Sequence, residues 1–235
     1  MLGTPYPRAV LARIRLQRWA RRLVLDARHG RRAPAPGTAL GRIAASGLAP
    51  TVAATELLNV VRPTVAVAYF GAFAGHALAT LPAWRSRLAA GDPVELRAFE
   101  HELRRRYPFV PLLTGRLRRE LVHDGTTFPP GSFIVLDVRG TNHDPRTYKS
   151  PQELCPERFL GREPSAFDYV PHGGGDPDRG HRCPGEPLAV QLLSVTVGRL
   201  AGLSFTLDES ASAVPMRRLP SLPPEGLMIR DVQPA

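Results

Sequence analysis

The sequence predicts a mainly α-helical protein with small β-sheets. Three observations predict it. From Pro63 to Trp84 there are 22 consecutive residues without a formal charge, counting His76 as neutral, a run of helical rather than strand length. Residues 8–28 place apolar side chains at helical spacing among arginines. Between residues 109 and 140 the texture changes to short apolar runs bounded by Pro and Gly, such as FIVLDV from Phe133 to Val138, which read as small strands.

Taken in order, residues 8–28 form an amphipathic basic helix with Val10, Leu11, Ile14, Trp19 and Leu23 on its apolar side. The stretch Arg31–Gly37 (RRAPAPG) breaks it, and residues 38–46 make a short helix. Thr51 to about Leu81 forms a long helix, with a Thr cap at its start and Pro82 at its stop. Residues 83–90 and 94–107 give two further helices, the second ended by Pro108. Residues 141–187 are rich in Pro, Gly, Asp and Asn, a long loop of the kind that is uncommon without a function. Residues 188–203 return to helix, and the tail from 204 reads as short strands and turns.

Composition narrows the function classes. With 235 residues and 43% apolar content, the chain is long and apolar enough for a packed core. Two cysteines exclude a disulfide scaffold and a four-cysteine zinc site. The net charge of +10 is confined to one segment. Residues 1–42 hold ten arginines and one acid, whereas the rest balance almost exactly to neutrality. A basic nucleic-acid-binding domain is therefore not expected. The chain accordingly divides into a basic helical segment plus linker, residues 1–42, and a second part, residues 43–235. No apolar stretch with a small-residue cleavage site opens the sequence, so a cytoplasmic location is expected. The uncharged run is long enough to span a membrane. It is rich in Ala, Gly, Val and Thr with Pro at both ends, which equally suits a buried helix, and no span is expected.

The loop Phe167 to Glu186 reads FDYVPHGGGDPDRGHRCPGE. Cys183 precedes Pro184 and Gly185, which place it at the start of the late helix, where exposed N–H groups favour a thiolate. Three readings are open: a buried structural cysteine, a nucleophile with His181 or His172 as base, or a thiolate ligand to haem iron.

This loop resembles the haem-ligand loop of the cytochrome P450 superfamily, in which Cys-x-Gly leads into the late helix. Three further motifs follow that family's order: Glu102 and Arg105 as Glu-x-x-Arg, Pro156-Glu157-Arg158-Phe159 as PERF, and Thr141–Pro145 (TNHDP) with Arg146 as the turn before it. The resemblance implies the C-terminal half of that fold: a long helix over haem, the Glu-x-x-Arg helix, the cysteine loop and the late helix, with the N-terminal half absent. It implies haem b as cofactor, Cys183 as iron ligand, and Glu102, Arg105 and Arg158 as a buried charged triad that holds the cysteine loop. The family's usual Phe, Gly and Arg ahead of the cysteine are replaced here by Asp176, Arg179 and His181, and Phe167 lies further upstream. His181, with Arg182 beside it, then stands at the haem propionates.

Oxygen-activating members carry an acid–alcohol pair in the long helix. This sequence has Asn59-Val60-Val61-Arg62-Pro63-Thr64 instead. On the residues alone, Arg62 is the last charge before an apolar segment, paired with a carboxylate such as Glu56. The Arg-Pro pair, the GGG insertion and the GHRCPGE ending resemble the bacterial fatty-acid peroxygenase branch, in which the arginine pairs with the substrate carboxylate. That implies hydrogen-peroxide-dependent hydroxylation or decarboxylation of a fatty acid without a redox partner. Arg62 and Pro63 would serve catalysis, and Arg62 and Phe109 would bind substrate. Two alternatives stand beside it: a conventional monooxygenase with a redox partner, and a truncated haem-binding or inactive remnant.

Overall fold

The computed structural model describes residues 6–107, 109–180, 182–208 and 226–234. The chain forms two compact units, Met1–Ala66 and Val67–Ala235. Seven α-helices and three two-stranded antiparallel sheets are present among the described residues.

The first unit contains α1 (Tyr6–Arg28), α2 (Ala39–Ala45) and the first half of α3 (Pro50–Thr80). Ala20 and Val24 of α1 pack on Ala53, Ala54 and Leu57 of α3. Small residues let the helix backbones approach closely. Arg28 donates to the carbonyls of Ala44, Ser46 and Leu48 at 2.9–3.0 Å, which satisfies the end of α2 and the turn after it. The buried face of α1 differs from the one periodicity predicts. Val10, Leu11, Ile14 and Trp19 are 38–55% exposed, because the contact with α2 and α3 lies at the C-terminal half of α1. Thr38 caps α2 by accepting from Gly41 N at 3.2 Å. The long helix begins at Pro50, so Thr51 lies inside its first turn and is not its cap. Pro63 stands within α3, where its missing N–H leaves the Asn59 carbonyl without its helical donor. The neighbouring Thr64 hydroxyl donates to Val61 O at 2.6 Å.

The second unit contains the rest of α3, then α4 (Pro82–Ala89), α5 (Pro93–Arg106) and α7 (Glu186–Ala201) around one core. Phe73 and Leu78 of α3, Phe99 and Leu103 of α5, and Leu193 and Val197 of α7 are fully buried there. Burying each such side chain stabilises the fold by about 1.5–3 kcal/mol. The uncharged half of α3 is thus apolar because it crosses this core. α3 is the one described helix long and apolar enough to cross a membrane by length and composition. Asp92 caps α5 by accepting from Val94 N at 2.7 Å, and Arg104, Arg105 and Arg106 end it, as the helix dipole favours.

The strands are short. β1 (Leu112–Arg116) pairs with β4 (Phe133–Asp137), and β2 (Leu121–His123) with β3 (Thr126–Phe128). Asp124 and Gly125 turn the second pair at positive φ, the two-residue geometry that suits Asp-Gly. β5 (Leu203–Leu207) pairs with β6 (Ile229–Pro234). Within the long loop the chain adds α6 (Val138–Asn142) and one 3-10 turn, Pro156–Phe159. The late helix begins at Glu186, so Pro187 rather than Pro184 occupies its first turn.

Candidate functional site

Glu102 and Arg105 stand one turn apart on the inner face of α5, and both side chains are 0% exposed. Arg105 forms a two-toothed pair with Glu102, Nε to Oε2 and Nη2 to Oε1, both at 2.7 Å. Its remaining donor capacity goes to the carbonyls of Asn142, Pro151 and Glu153 at 2.8–3.1 Å. Glu102 Oε1 also accepts from Cys155 N at 2.8 Å. Arg158 brings its Nε to 3.2 Å from Glu102 Oε2, an ion pair whose angle gives no hydrogen bond. Its Nη1 donates to Lys149 O at 2.9 Å. These bonds fasten residues 142–158 to α5. None of them reaches residues 182–186 directly.

The cysteine loop is held by other groups. Asn142 Oδ1 accepts from Val170 N at 2.8 Å, and Tyr148 OH donates to Asp168 O at 3.1 Å. Gly173 and Gly175 lie at φ +93° and +79°, a region only glycine enters without strain, and a Cβ at Gly174 would crowd Val170 and the Ala166 carbonyl at 3.2–3.3 Å, which together account for the GGG run. Cys183 N donates to His172 O at 2.9 Å. The His172 ring packs 5.7 Å from Phe70 of α3. Burial and the Arg104 charge hold His172 down to about 4, so its ring is neutral near pH 7. Its Nε2 is buried without a partner among the described residues.

Arg182 turns its Nε to Glu186 Oε2 at 2.7 Å and its Nη2 to Oε1 at 3.2 Å. Arg104 of α5 donates to Glu186 Oε1 at 2.7 Å from the other side. Burial pushes the Glu186 carboxyl up, but the Arg182 hydrogen bond and the charges of Arg104 and Arg182 outweigh it and leave it below its ordinary value. Burial and the Arg104 charge bring His101 to about 4, so its neutral Nδ1 accepts from Arg104 Nη2 at 3.1 Å. Sequence reasoning missed Arg104 and Glu186. The available signals were the first arginine in Glu102–Arg106 (ELRRR) and a carboxylate four residues after Arg182.

Cys183 is a free, half-buried thiol whose sulfur makes no hydrogen bond among the described residues. A Cβ placed at Gly185 would lie 3.8 Å from the Cys183 sulfur, in ordinary van der Waals contact with it. No group of three or more His, Cys, Asp or Glu side chains suited to a bare metal ion occurs among the described residues. One accessible soft ligand fits a metal whose other positions are filled by a macrocycle. The residues present therefore fit haem b, and the Cys183 sulfur is free to bind its iron. His181 lies outside the described residues. Phe109 is half-buried and meets Tyr69 edge to face at 5.0 Å, on the rim of the core. Arg62 and Pro63 lie exposed on α3, and Arg62 has no partner among the described residues, Glu56 included.

The comparisons with known proteins agree with this geometry. A family profile described as Cytochrome P450 matches residues 96–220. Cytochrome P450 93B16 of Glycine max is 34% identical over 112 residues, 45% of this chain and 20% of its own length. Luvungin A synthase CYP716AC1 of Citrus sinensis is 31% identical over 151 residues, 59% of this chain and 31% of its own. Among solved structures, a cytochrome P450 OleT variant in complex with arachidonic acid superposes with a TM-score of 0.89 at 31% identity, over 100% of this chain and 57% of that one. Cytochrome P450SP alpha (CYP152B1) in complex with (R)-ibuprofen superposes with a TM-score of 0.89 at 37% identity, over 98% of this chain and 58% of that one. The chain thus spans just over half the length of these solved relatives and under a third of the two curated ones. With the profile covering more than half of its residues and every described motif within it in place, the chain belongs to the cytochrome P450 family.

Proposed function

We propose that the chain carries the haem-thiolate half of a fatty-acid oxidase that uses hydrogen peroxide, with Arg62 anchoring the substrate carboxylate. The observation that carries this reading is Arg62 itself: an exposed, unpaired guanidinium at the edge of the uncharged run of α3. Support comes from the two solved relatives, whose ligands, arachidonic acid and (R)-ibuprofen, each join a carboxylate to an apolar body. A guanidinium fork pairs with a carboxylate through two parallel hydrogen bonds, and the apolar body then lies along Ala- and Gly-rich α3.

Cys183 serves as the thiolate ligand, and the Glu102–Arg105–Arg158 cluster holds the chain that leads to it. Bound haem supplies redox chemistry at iron, which the electron-rich thiolate favours. The overall conversion is R–H plus H2O2 to R–OH plus water. The decarboxylating variant converts R–CH2–CH2–COOH plus H2O2 to a terminal alkene, CO2 and two waters. Either needs a proton moved between peroxide oxygens. α3 offers Asn59, Val60 and Val61 where an acid–alcohol pair would stand, so no side chain there carries that proton. The substrate carboxylate oxygen held by Arg62 does so instead. Pinning the carboxyl group also selects the carbons next to it for attack. Pro63 shapes α3 at this point, and Phe109 flanks the substrate. No redox partner is needed, and a cytoplasmic location suits the reaction.

The test is peroxide-supported turnover of a long-chain fatty acid by the haem-loaded chain, with no reductase added. Arg62→Ala is expected to abolish turnover while haem stays bound. Undiminished turnover in Arg62→Ala overturns the anchor. Turnover only with a reductase and NADPH assigns the chain to the conventional monooxygenases.

A further inference from the structure

The Glu102–Arg105–Arg158 cluster fastens residues 142–158 but stops short of the cysteine. Among the described residues, the side-chain bond from α5 to residues 182–186 runs through Glu186. We propose that Glu186 is a positioning residue, whose carboxylate is gripped by Arg104 of α5 on one side and Arg182 of the cysteine loop on the other, and which thereby fixes how Cys183 faces the haem. This rests on the haem-thiolate reading above.

The geometry is complete on both oxygens. Oε1 accepts from Arg104 Nη1 at 2.7 Å and from Arg182 Nη2 at 3.2 Å, and Oε2 from Arg182 Nε at 2.7 Å. The Arg104 and Glu186 side chains are 4% and 11% exposed, so water competes little for the pair. Arg104 is itself oriented by His101 Nδ1 at 3.1 Å and by the Tyr169 ring, 5.5 Å below its guanidinium. Glu186 N donates to Cys183 O at 3.2 Å, which closes the turn between tether and ligand. Cys183 therefore sits between two residues of one salt bridge, Arg182 before it and Glu186 after it. Two of the Arg182 donors are committed to this bridge, so Arg182 ties the loop that carries Cys183 to Glu186.

The cluster also has a charge consequence. Two guanidiniums and one carboxylate leave one excess positive charge beside the thiolate. Replacing Glu186 with a neutral residue raises that excess to two, and replacing Arg104 lowers it to zero. Both changes break the same tether, yet they shift the electrostatics at iron in opposite directions.

The experiment compares Glu186→Gln, Arg104→Gln, the double variant and the milder Arg182→Gln in the full 235-residue chain. Amide hydrogen exchange reads the tether without haem. We expect amides 182–186 to exchange at least about tenfold faster in each single variant, with the double variant no faster than the singles. With haem bound, the thiolate-type share of the reduced carbon-monoxide spectrum falls in every variant. The iron midpoint potential rises in Glu186→Gln and falls in Arg104→Gln. Unchanged exchange in Glu186→Gln and Arg182→Gln, or strictly additive effects, overturns the tether. Potentials that move in the same direction overturn the charge effect. An unsubstituted chain that binds no haem refutes the haem reading alone, and the exchange result then still decides the tether.

Discussion

Glu102→Gln is the sharpest test of what holds the second unit together. Glu102 and Arg105 are both 0% exposed, so neither has water to fall back on. The carboxylate takes two hydrogen bonds from Arg105, one from Cys155 N, and the Arg158 ion pair. A carboxamide of the same shape has one acceptor oxygen. Its NH2 group would face the Arg105 guanidinium, donor against donor. Arg105 would become a buried charge without a counter-ion, a change that typically destabilises by about 3–5 kcal/mol. Counting lost bonds gives the same scale: at least one charged donor left unsatisfied costs about 1–3 kcal/mol, and the lost ion pair adds to it. A domain of this size has about 5–15 kcal/mol in total, so the variant should sit near the edge of unfolding. Urea unfolding followed by the fluorescence of Trp84, which is 3% exposed, measures the loss. Glu163→Gln is the control, because Glu163 pairs with Arg97 in solvent at 71% exposure and should change stability by less than about 1 kcal/mol. A loss below about 1 kcal/mol in Glu102→Gln, or an equal loss in the control, would refute the reasoning.

Three further outcomes are expected. Cys183→Ser should remove the thiolate-type band from the reduced carbon-monoxide spectrum, and a spectrum identical to that of the unsubstituted chain rejects Cys183 as ligand. His101, His143 and His172 are each held at about 4 chiefly by burial, against about 6.5 unfolded, so the unfolded chain binds more protons between those values. Their stabilisation is whole above about pH 6.5 and is lost as pH falls toward 4, by about 1 kcal/mol per histidine at about pH 5.5. Urea midpoints that stay level from pH 7 to about pH 5.5 contradict this. Glu100 behaves in the opposite sense: burial raises its carboxyl, partly offset by the Ser194 hydroxyl, so the native state holds its proton longer than the unfolded one. The stability of Glu100→Gln relative to the unsubstituted chain should therefore increase as pH rises through the carboxylate range, and a constant difference would rule it out.

Much of this protein was legible in the sequence because its signals are local. Pro82, Pro93 and Asp92 bound α4 and α5 through backbone chemistry that acts within a turn, and the helices begin and end within a few residues of the expected places. Glu102 and Arg105 are three residues apart, so a helix alone brings them together. The glycines of the cysteine loop announce positive φ wherever that loop folds.

What the sequence by itself determined was the element order, the family motifs and Cys183 in its loop, all of which depend on neighbours along the chain. Tertiary structure decided the partners. Arg104 and Glu186 are 82 positions apart, and nothing local joins them until α5 and α7 pack on one core. Arg182 pairs with the same Glu186 from the side of the cysteine loop. The same holds for α1, where periodicity marked Val10, Ile14 and Trp19, yet Ala20 and Val24 are the residues buried. Hydrophobic pattern states which side chains would gain from burial, but only the position of the neighbouring helix decides which of them are covered.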